Sequence, residues 1–331
     1  MDHVLDRQAD VIHTAPDGVA VEAPTTARAI GRPARPFAQI GAYLALLRPR
    51  HWIKGIAVLV APLIIAPVAS LSHVVTIGLT LLSFLLASST VYVFNDLRDR
   101  ESDRLHPVKR LRALASGRVT VPGVVTLLII LLVVTLGLLV VVPPLVAAII
   151  AGYLVMNLWY SMALKHQPLV DVSVVASGFV LRVLAGTIAA GLDVQPILLI
   201  CVYCACVALS LGKRRHELAG LPSEGETGAR HRPVLSSYSV PFLDLVVAVS
   251  LVAALACYVV SMLQLTYPFG AVAAVLTFPF AAFMVYRYLQ MLMVERSGGD
   301  PVEDLVRDRA TRVNFALWAA ILLPILIADS W

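Results

Sequence analysis

Charged side chains are scarce in this chain. Only 14% of its 331 residues are Asp, Glu, Lys or Arg, whereas soluble domains carry about 25%. This shortage excludes an ordinary water-soluble protein. Stretches of roughly 18 or more mostly apolar residues recur between Ile53 and Ile327, and each can cross the core of a bilayer as a helix. The sequence therefore predicts an all-α, polytopic membrane protein.

Cysteine is scarce as well. All four cysteines lie within apolar stretches, and their spacing is not that of a secreted disulfide framework. Cys201 and Cys204 form a CxxC pair, but no second Cys or His pair stands nearby to complete a zinc site. We therefore expect the cysteines to be buried packing residues.

The apolar stretches divide the chain into nine predicted membrane helices. Their ranges are 53–70, 73–94, 121–141, 144–163, 169–190, 196–212, 241–263, 268–290 and 312–329. Residues 1–36 differ, because they are polar, rich in Ala, Pro, Asp and Arg, and without periodicity. We expect them to form a disordered cytoplasmic tail that is not a signal peptide. Residues 37–331 are predicted to form one nine-helix catalytic domain.

Lysine and arginine are missing from every second connection. The connections near residues 71, 143, 193 and 266 contain neither. The N-terminal flank and the connections between helices 2 and 3, 4 and 5, 6 and 7, and 8 and 9 all contain them. The positive-inside rule then places the N-terminus and the basic connections in the cytoplasm. We expect a multi-pass plasma-membrane protein whose functional residues face that side.

An acidic motif stands among the basic residues that follow helix 2. Asp96, Asp99 and Asp103 are spaced by three and four residues, so they lie on one face if the helix continues beyond Asn95. Three like charges on one face repel unless a cation lies among them. Mg²⁺ suits carboxylate oxygens and usually bridges to substrate phosphates. A solvated network of salt bridges to local arginines is the alternative.

Basic side chains flank this motif and recur in a second cluster. Those beside the motif, Lys109, Arg110 and Arg112, can bind anionic oxygens that a metal leaves free. The second cluster ends helix 6, where the sequence is LGKRRHELAG (211–220). It contains Lys213, Arg214, Arg215 and His216. It is either a topology signal or a phosphate-binding group that faces the acidic motif, with His216 as a hydrogen-bonding residue rather than a metal ligand.

A third polar group surrounds the connection between helices 4 and 5. It consists of Tyr160, Lys165 and Asp171. Arg182 lies deeper, about seven residues inside the apolar part of helix 5 by its position in the pattern. A charge at such depth is costly and normally faces a partner or a polar cavity. Arg182 therefore pairs with an acid of another helix or lines an anion-binding cavity.

The motif NDxxDxxxD, read here at Asn95, Asp96, Asp99 and Asp103 after the second of nine helices, resembles that of the UbiA superfamily of intramembrane prenyltransferases. The resemblance implies an all-helical bundle with a central cavity open to the cytoplasm. It also implies a polyprenyl substrate that enters from the bilayer and a diphosphate held by Mg²⁺.

The sequence departs from the usual pattern at the second motif. Typical members carry an acidic DxxxD between helices 6 and 7, where this chain has Lys213 to Glu217 instead. Together with RPRHWIKG (48–55) and YSMALK (160–165), this pattern resembles the decaprenyl-phosphate phosphoribosyltransferase branch. That branch transfers phosphoribose from phosphoribosyl diphosphate (PRPP) to decaprenyl phosphate, for cell-wall arabinan. The family often has Pro after the arginine where Ala113 follows Arg112.

The resemblance also implies roles for the polar residues. Asp96, Asp99 and Asp103 would hold Mg²⁺, with Asn95 as a hydrogen-bonding partner and Lys165 and Arg182 as further catalytic groups. The expected substrate-binding residues are Lys54, Asn95, Lys109, Arg110, Arg112, Tyr160, Asp171, Lys213, Arg214, Arg215 and His216. His51 and Trp52, beside Lys54, would meet the lipid phosphate, although Trp52 equally fits an interfacial anchor. No nucleic-acid partner is expected, and a homo-oligomer is compatible with the sequence.

Two other functions fit part of the pattern. An ordinary UbiA prenyltransferase would transfer a prenyl group from its diphosphate to an aromatic acceptor, and the missing second DxxxD argues against it. A transporter or lipid-binding protein would use the charged residues for an anion. The sequence shows no paired half-repeats with broken helices, as many transporters have.

Overall fold

The computed structural model describes residues 36–64, 70–220, 233–265, 269–295 and 299–329. Every regular element in these ranges is a helix, which confirms the all-α prediction. The predicted disordered tail, 1–36, lies outside the described residues apart from Pro36. That residue begins a helix that the sequence did not predict, because it is too short to span a bilayer.

Twelve α-helices are described within these ranges. In chain order they are α1 (Pro36–Leu46), α2 (Val60–Ile64), α3 (Leu71–Arg98), α4 (Arg100–Leu105), α5 (Val121–Leu139), α6 (Pro144–Met162), α7 (Val170–Ala189), α8 (Pro196–Ala219), α9 (Val240–Leu265), α10 (Gly270–Met293), α11 (Pro301–Arg307) and α12 (Arg309–Asp329). Four 3-10 helices connect them: Pro49–Leu59, Lys109–Leu111, Leu164–His166 and Pro233–Ser237.

Eight of the described helices are long and apolar enough to cross a membrane: α3, α5, α6, α7, α8, α9, α10 and α12. They correspond to eight of the nine predicted spans, and the chain is a multi-pass membrane protein. The first predicted span, 53–70, has a different form. Here the 3-10 helix Pro49–Leu59 leads into the short α2, and residues 65–69 lie outside the described part.

Polar side chains inside the long helices bond to their own backbone. In α3 the hydroxyls of Thr80, Ser83 and Thr90 each donate to the carbonyl four residues earlier, at 2.8 to 2.9 Å. Such bonds satisfy a hydroxyl without a partner from another helix. The α3 helix can therefore carry several small polar residues and still pack in the middle of the bundle.

One close approach fixes the first segment against α7. A Cβ atom on Gly186 would overlap the carbonyl group of Val58, so only glycine lets the 3-10 helix lie this near. Val58 then joins a core with Phe84, Ile150 and Tyr153, which come from α3 and α6. This packing sets the position of Arg48 to Lys54, the polar beginning of the same segment.

Candidate functional site

The acidic motif lies where α3 meets α4. The α3 helix runs to Arg98, beyond the predicted end at 94, and Asp99 joins it to α4. The helical hydrogen bonds continue through the junction, since the Asp99 and Asp103 amides donate to the carbonyls of Asn95 and Asp99 at 2.8 Å. Asp96 and Asp103 nevertheless contact arginines, whereas Asp99 contacts a lysine, a division that the expectation of one helical face did not include.

Asp96 and Asp103 converge on one arginine. One guanidinium nitrogen of Arg112 lies 3.3 Å from the carboxylate of Asp96 and 2.6 Å from that of Asp103. Asp96 also accepts a 2.5 Å bond from Arg48. Both aspartates are buried, with 4% and 3% of their surface exposed. The two buried carboxylates therefore lie around one cationic atom.

Asp99 turns to another part of the bundle. Its carboxylate accepts a 2.7 Å hydrogen bond from Lys165, which follows α6. Close by, Arg98 donates to the carbonyl of Met162, the last residue of α6, at 3.0 Å. These bonds bring together the connections after α3 and α6.

The donors of this acidic site fit Mg²⁺. Mg²⁺ prefers carboxylate oxygens, takes one or two of them and keeps several waters, and Asp96 and Asp103 supply two buried carboxylates. Within the part of the chain that the structure describes, no group of three or more His, Cys, Asp and Glu residues is already arranged around a metal position. The third acid, Asp99, contacts Lys165 instead, and a metal at Asp96 and Asp103 would take the place of the Arg112 nitrogen.

A second site, the cationic cavity, lies between the first segment, α7, α8 and the start of α11. It has a volume of about 210 Å³, and its charged lining residues are Lys54, Asp171, Lys213, Arg214 and Asp300. Arg214 also donates a 2.5 Å bond to Glu217 and lies 3.5 Å from Asp171. Three cations and two carboxylates thus line one small cavity.

The outer cavity adjoins the cationic cavity and shares Lys54 and Asp300 with it. Its volume is about 600 Å³, and Arg50, His51 and Arg307 also line it. Burial together with the nearby cations Lys54 and Arg48 lowers the pKa of His51 to about 4. His51 is therefore a neutral hydrogen-bonding group at neutral pH, and it adds no charge to the cations around it.

Arg182 is held deep inside the bundle. It is 6% exposed, and its guanidinium donates 2.8 Å bonds to the carbonyl of Gly178 and to the hydroxyls of Ser88 and Tyr153. The guanidinium carbon also lies 4.6 Å from the centre of the Tyr153 ring. Among the described residues no carboxylate pairs with Arg182. Its partners are a carbonyl and two hydroxyls, not the acid of another helix that one of the two predictions named.

Other predicted residues lie at different places. Arg215 lines neither cavity, since it donates to Asp244 at 2.9 Å and to the carbonyl of Leu292 at 2.8 Å. It joins α8 to α9 and α10. His216 lies near Gly299, and Tyr160 occupies the last turn of α6. The remaining two, Lys109 and Arg110, are exposed on the 3-10 helix after α4.

Two charged residues of the site were not predicted from the sequence. Arg48 binds Asp96 from a left-handed backbone (φ 52°), a conformation uncommon outside glycine that often marks a functional position. Its sequence signal is its place in RPRHWIKG (48–55), a motif that indicates topology and family resemblance but no ion pair with Asp96. Asp300 lines both cavities and caps α11, accepting from the amide of Glu303 at 3.3 Å. The positive-inside rule depends on Lys and Arg, so an aspartate in this connection gives no topology signal.

The chain is similar over most of its length to known proteins. The chain is 31% identical over 297 residues to decaprenyl-phosphate phosphoribosyltransferase of Mycolicibacterium smegmatis, which covers 84% of this chain and 90% of the relative. The protein of the same name from Mycobacterium tuberculosis is 31% identical over 284 residues, 83% of this chain and 90% of the relative.

A solved structure shares the fold. A UbiA homologue from Archaeoglobus fulgidus, bound to DMAPP and Mg²⁺, superposes with a TM-score of 0.65 at 19% identity, over 86% of this chain and 99% of that one. The model of the UbiA prenyltransferase family matches residues 55–297, a range that includes the acidic motif and most lining residues of the cationic cavity. The chain belongs to the UbiA prenyltransferase family.

Proposed function

We propose that this protein is a membrane-embedded transferase that moves the 5-phosphoribosyl group of PRPP to decaprenyl phosphate and releases diphosphate. The relatives named decaprenyl-phosphate phosphoribosyltransferase match most of the chain at 31% identity. The last turns of α8 support the same reaction, because they contain Lys213, Arg214 and Arg215 where a second acidic motif is usual. The product would serve cell-wall arabinan synthesis.

The observation that carries the proposal is the pairing of two unlike charged sites. The acidic site presents buried carboxylates at Asp96 and Asp103, whereas the cationic cavity presents Lys54, Lys213 and Arg214. A metal-bound diphosphate suits the first, and a phosphate bound by side-chain cations suits the second. PRPP and a lipid phosphate together bring both kinds of group.

At the acidic site, Asp96 and Asp103 would hold Mg²⁺, and Asp99 would join them when Lys165 turns toward the substrate. The ion would stabilise the negative charge of the departing diphosphate. Arg48 and Arg112 already lie against these carboxylates. They are placed to bind diphosphate oxygens once the metal occupies the carboxylates.

At the cationic cavity, the protein mainly positions anions. Lys54, Lys213 and Arg214 would bind the lipid phosphate or the 5′-phosphate of PRPP. An oxygen of the lipid phosphate attacks C1 of the ribose from the face opposite the diphosphate, and the bond from C1 to the diphosphate oxygen breaks. The attacking oxygen is already anionic, so no general base is needed, and inversion at C1 follows.

The orientation that suits this reaction follows from the basic connections. We propose nine membrane crossings in the plasma membrane, with the first formed by the predicted span 53–70. The N-terminus, the acidic site and both cavities would then face the cytoplasm, as the positive-inside rule indicates. PRPP would reach the site from the cytosol, and decaprenyl phosphate would reach it from the bilayer.

Product formation tests the proposal. Purified protein in nanodiscs is incubated with Mg²⁺ and either PRPP plus decaprenyl phosphate or a prenyl diphosphate plus an aromatic acid. We expect an acid-labile glycosyl-phosphate lipid from the first mixture only, and none when EDTA removes the metal. Prenylated aromatic product from the second mixture would instead identify an ordinary prenyltransferase.

A further inference from the structure

Asp300 is an acidic residue in a region that otherwise suits anions. It lines both the cationic cavity and the outer cavity, where Lys54 and Lys213 offer positive charge to substrate phosphates. A carboxylate at this position repels phosphate oxygens, so phosphate binding alone gives it no role. We propose, on the basis of the proposed function, that Asp300 accepts hydrogen bonds from the 2′- and 3′-hydroxyls of the PRPP ribose and so selects a ribosyl donor.

The carboxylate of Asp300 has room for a new donor. Asp300 precedes α11, and its side chain accepts a bond from the amide of Glu303 at 3.3 Å. Within the described part of the chain, no lysine, arginine or histidine forms an ion pair with it. A carboxylate offers about four acceptor positions. Since the side chain is partly exposed and borders two cavities, the remaining positions are available to a ligand.

Asp171, the other carboxylate that lines the cationic cavity, has different surroundings. It is 1% exposed and lies 3.5 Å from the guanidinium of Arg214. The hydroxyl of Tyr238 also lies 3.5 Å from it. Asp171 therefore pairs with a cation in the wall of the cavity. Asp300 has no such cation beside it in the described residues, so its negative charge calls for a partner from outside the chain.

A series of contacts connects the acidic site to the cavities that Asp300 borders. Arg48, which binds Asp96, lies over the ring of Tyr92, with its guanidinium carbon 4.9 Å from the ring centre. The centre of the His51 ring lies 5.4 Å from the same point, and His51 lines the outer cavity together with Asp300. In this series, Asp300 comes between the acidic site and the cationic cavity.

The ribose of PRPP has to occupy the same middle position. In the proposed reaction its C1 is bonded to the diphosphate at the acidic site and is attacked by a phosphate oxygen from the cationic cavity. The main hydrogen-bond donors of PRPP at neutral pH are its 2′- and 3′-hydroxyls, because its phosphate groups are largely ionised. Two neighbouring hydroxyls can bind the two oxygens of one carboxylate, and hydrogen bonds to an ionised acceptor are the stronger class.

A counter-ion role for Asp300 predicts a different result. If Asp300 only balanced the charge of nearby lysines, its removal would strengthen the binding of every phosphate compound by a similar factor. If it accepts from ribose, its removal weakens only compounds that carry the hydroxyls. Asp300→Ser separates the two roles, because serine still caps α11 but has no carboxylate. Glu303→Gln is the matched control, since Glu303 lies on the same helix, is 54% exposed and pairs with Arg307 at 2.5 Å.

The first test measures binding without turnover. Full-length protein in nanodiscs is titrated with ribose 5-phosphate, 2-deoxyribose 5-phosphate and inorganic phosphate in a calorimeter. We expect the wild type to bind ribose 5-phosphate about tenfold more tightly than the deoxy compound, and Asp300→Ser to bind the two equally. Glu303→Gln should keep the wild-type preference. No preference in the wild type, or the same preference in Asp300→Ser, would overturn the inference.

The second test measures transfer to decaprenyl phosphate from PRPP and from its 2-deoxy analogue. The ratio of kcat/KM for the two donors is compared between proteins, so the intrinsic reactivity of the deoxy donor cancels. We expect this ratio to fall by about tenfold in Asp300→Ser and to stay unchanged in Glu303→Gln. An equal effect on both donors in Asp300→Ser would overturn the inference and leave the proposed function intact. No product from either donor, with the preference for ribose 5-phosphate retained in the binding test, would contradict the proposed function alone.

Discussion

Lys165 donates a 2.7 Å hydrogen bond to the carboxylate of Asp99, 66 residues earlier in the chain. The bond joins the connection after α6 to the junction of α3 and α4. Neither residue is deeply buried, with 22% and 29% of the side chains exposed, so water weakens the pair. Breaking this ion pair therefore costs little free energy. Lys165 can then bind a substrate, and Asp99 can bind a metal.

The first prediction concerns Asp99. Asp99→Asn should lower phosphoribosyl transfer by about 100-fold or more, because an amide is a poorer magnesium ligand and cannot offset the metal's charge. Glu101→Gln is the matched control, since Glu101 lies in the same segment but pairs at the surface with Arg104. We expect it to retain activity. Initial rates across a series of Mg²⁺ concentrations measure both, and equal losses in the two variants would contradict a metal site at Asp99.

The second prediction concerns the cationic cavity. Lys213→Met keeps most of the side-chain length but removes its charge, and we expect the KM of at least one anionic substrate to rise by about tenfold. Arg309→Met serves as control, because Arg309 begins α12, is exposed and lines neither cavity. Steady-state kinetics with each substrate varied in turn will show the change. Unaltered KM values in the Lys213 variant would show that the cationic cavity does not bind a substrate phosphate.

The third prediction concerns the close approach between the first segment and α7. Gly186→Ala should destabilise the protein by about 1–3 kcal/mol or prevent its folding, because the added methyl overlaps the carbonyl of Val58. Gly152→Ala is a matched helical control with nothing within 4 Å of the new Cβ. It should leave stability equal or slightly higher. Thermal unfolding in one detergent compares them, and similar midpoints would contradict the packing.

The fourth prediction separates Arg215 from its neighbours in sequence. Arg215→Met removes the bonds to Asp244 and to the carbonyl of Leu292 and should lower stability by about 2 kcal/mol. The KM values should stay near those of the wild type, because Arg215 lines neither cavity. Chemical or thermal unfolding together with kinetics distinguishes the roles. A variant of normal stability with a strongly raised KM would place Arg215 in substrate binding after all.

The fifth prediction follows from the low pKa of His51. In the folded protein this pKa is about 4, below the ordinary value of 6.5, so protonation favours the unfolded chain. The contribution of His51 to stability is therefore complete above pH 6.5 and decreases as the pH falls toward 4. His51→Gln should flatten the decrease in melting temperature over this range. His166→Gln, at an exposed histidine, should not, and an identical slope in all three proteins would rule out the burial effect.

The sequence predicted the acidic site better than it predicted the cationic one. The spacing of Asp96 and Asp103 already indicated a common face, and Arg112 now joins them. By contrast, Lys213, Arg214 and Arg215 are adjacent in sequence, so the helix turns each by about 100° from the last. Lys213 and Arg214 consequently reach the cavity while Arg215 turns toward α9 and α10. A charge cluster in sequence does not identify which members share a cavity.

The membrane spans likewise have features that the local sequence predicts and features that depend on distant residues. Eight of the nine spans predicted from apolar length are long helices among the described residues, because a bilayer imposes that length on each. The form of the first segment depends on α7, whose Gly186 admits the carbonyl of Val58, and no local pattern at Pro49–Leu59 reveals it. Likewise, the contribution of Asp300 depends on Lys54 and Lys213, which come from two other parts of the bundle.

The transfer itself is measured with PRPP labelled at two atoms, ¹⁴C in the ribose and ³²P at the β-phosphorus, in nanodiscs that contain decaprenyl phosphate. If the acidic site holds the diphosphate and the cationic cavity holds the attacking phosphate, ¹⁴C enters the lipid fraction and ³²P remains in water as diphosphate. Both changes should disappear in Asp99→Asn and persist in Glu101→Gln. Appearance of ³²P in the lipid, or no ¹⁴C in the lipid from a folded wild-type protein, would contradict phosphoribosyl transfer.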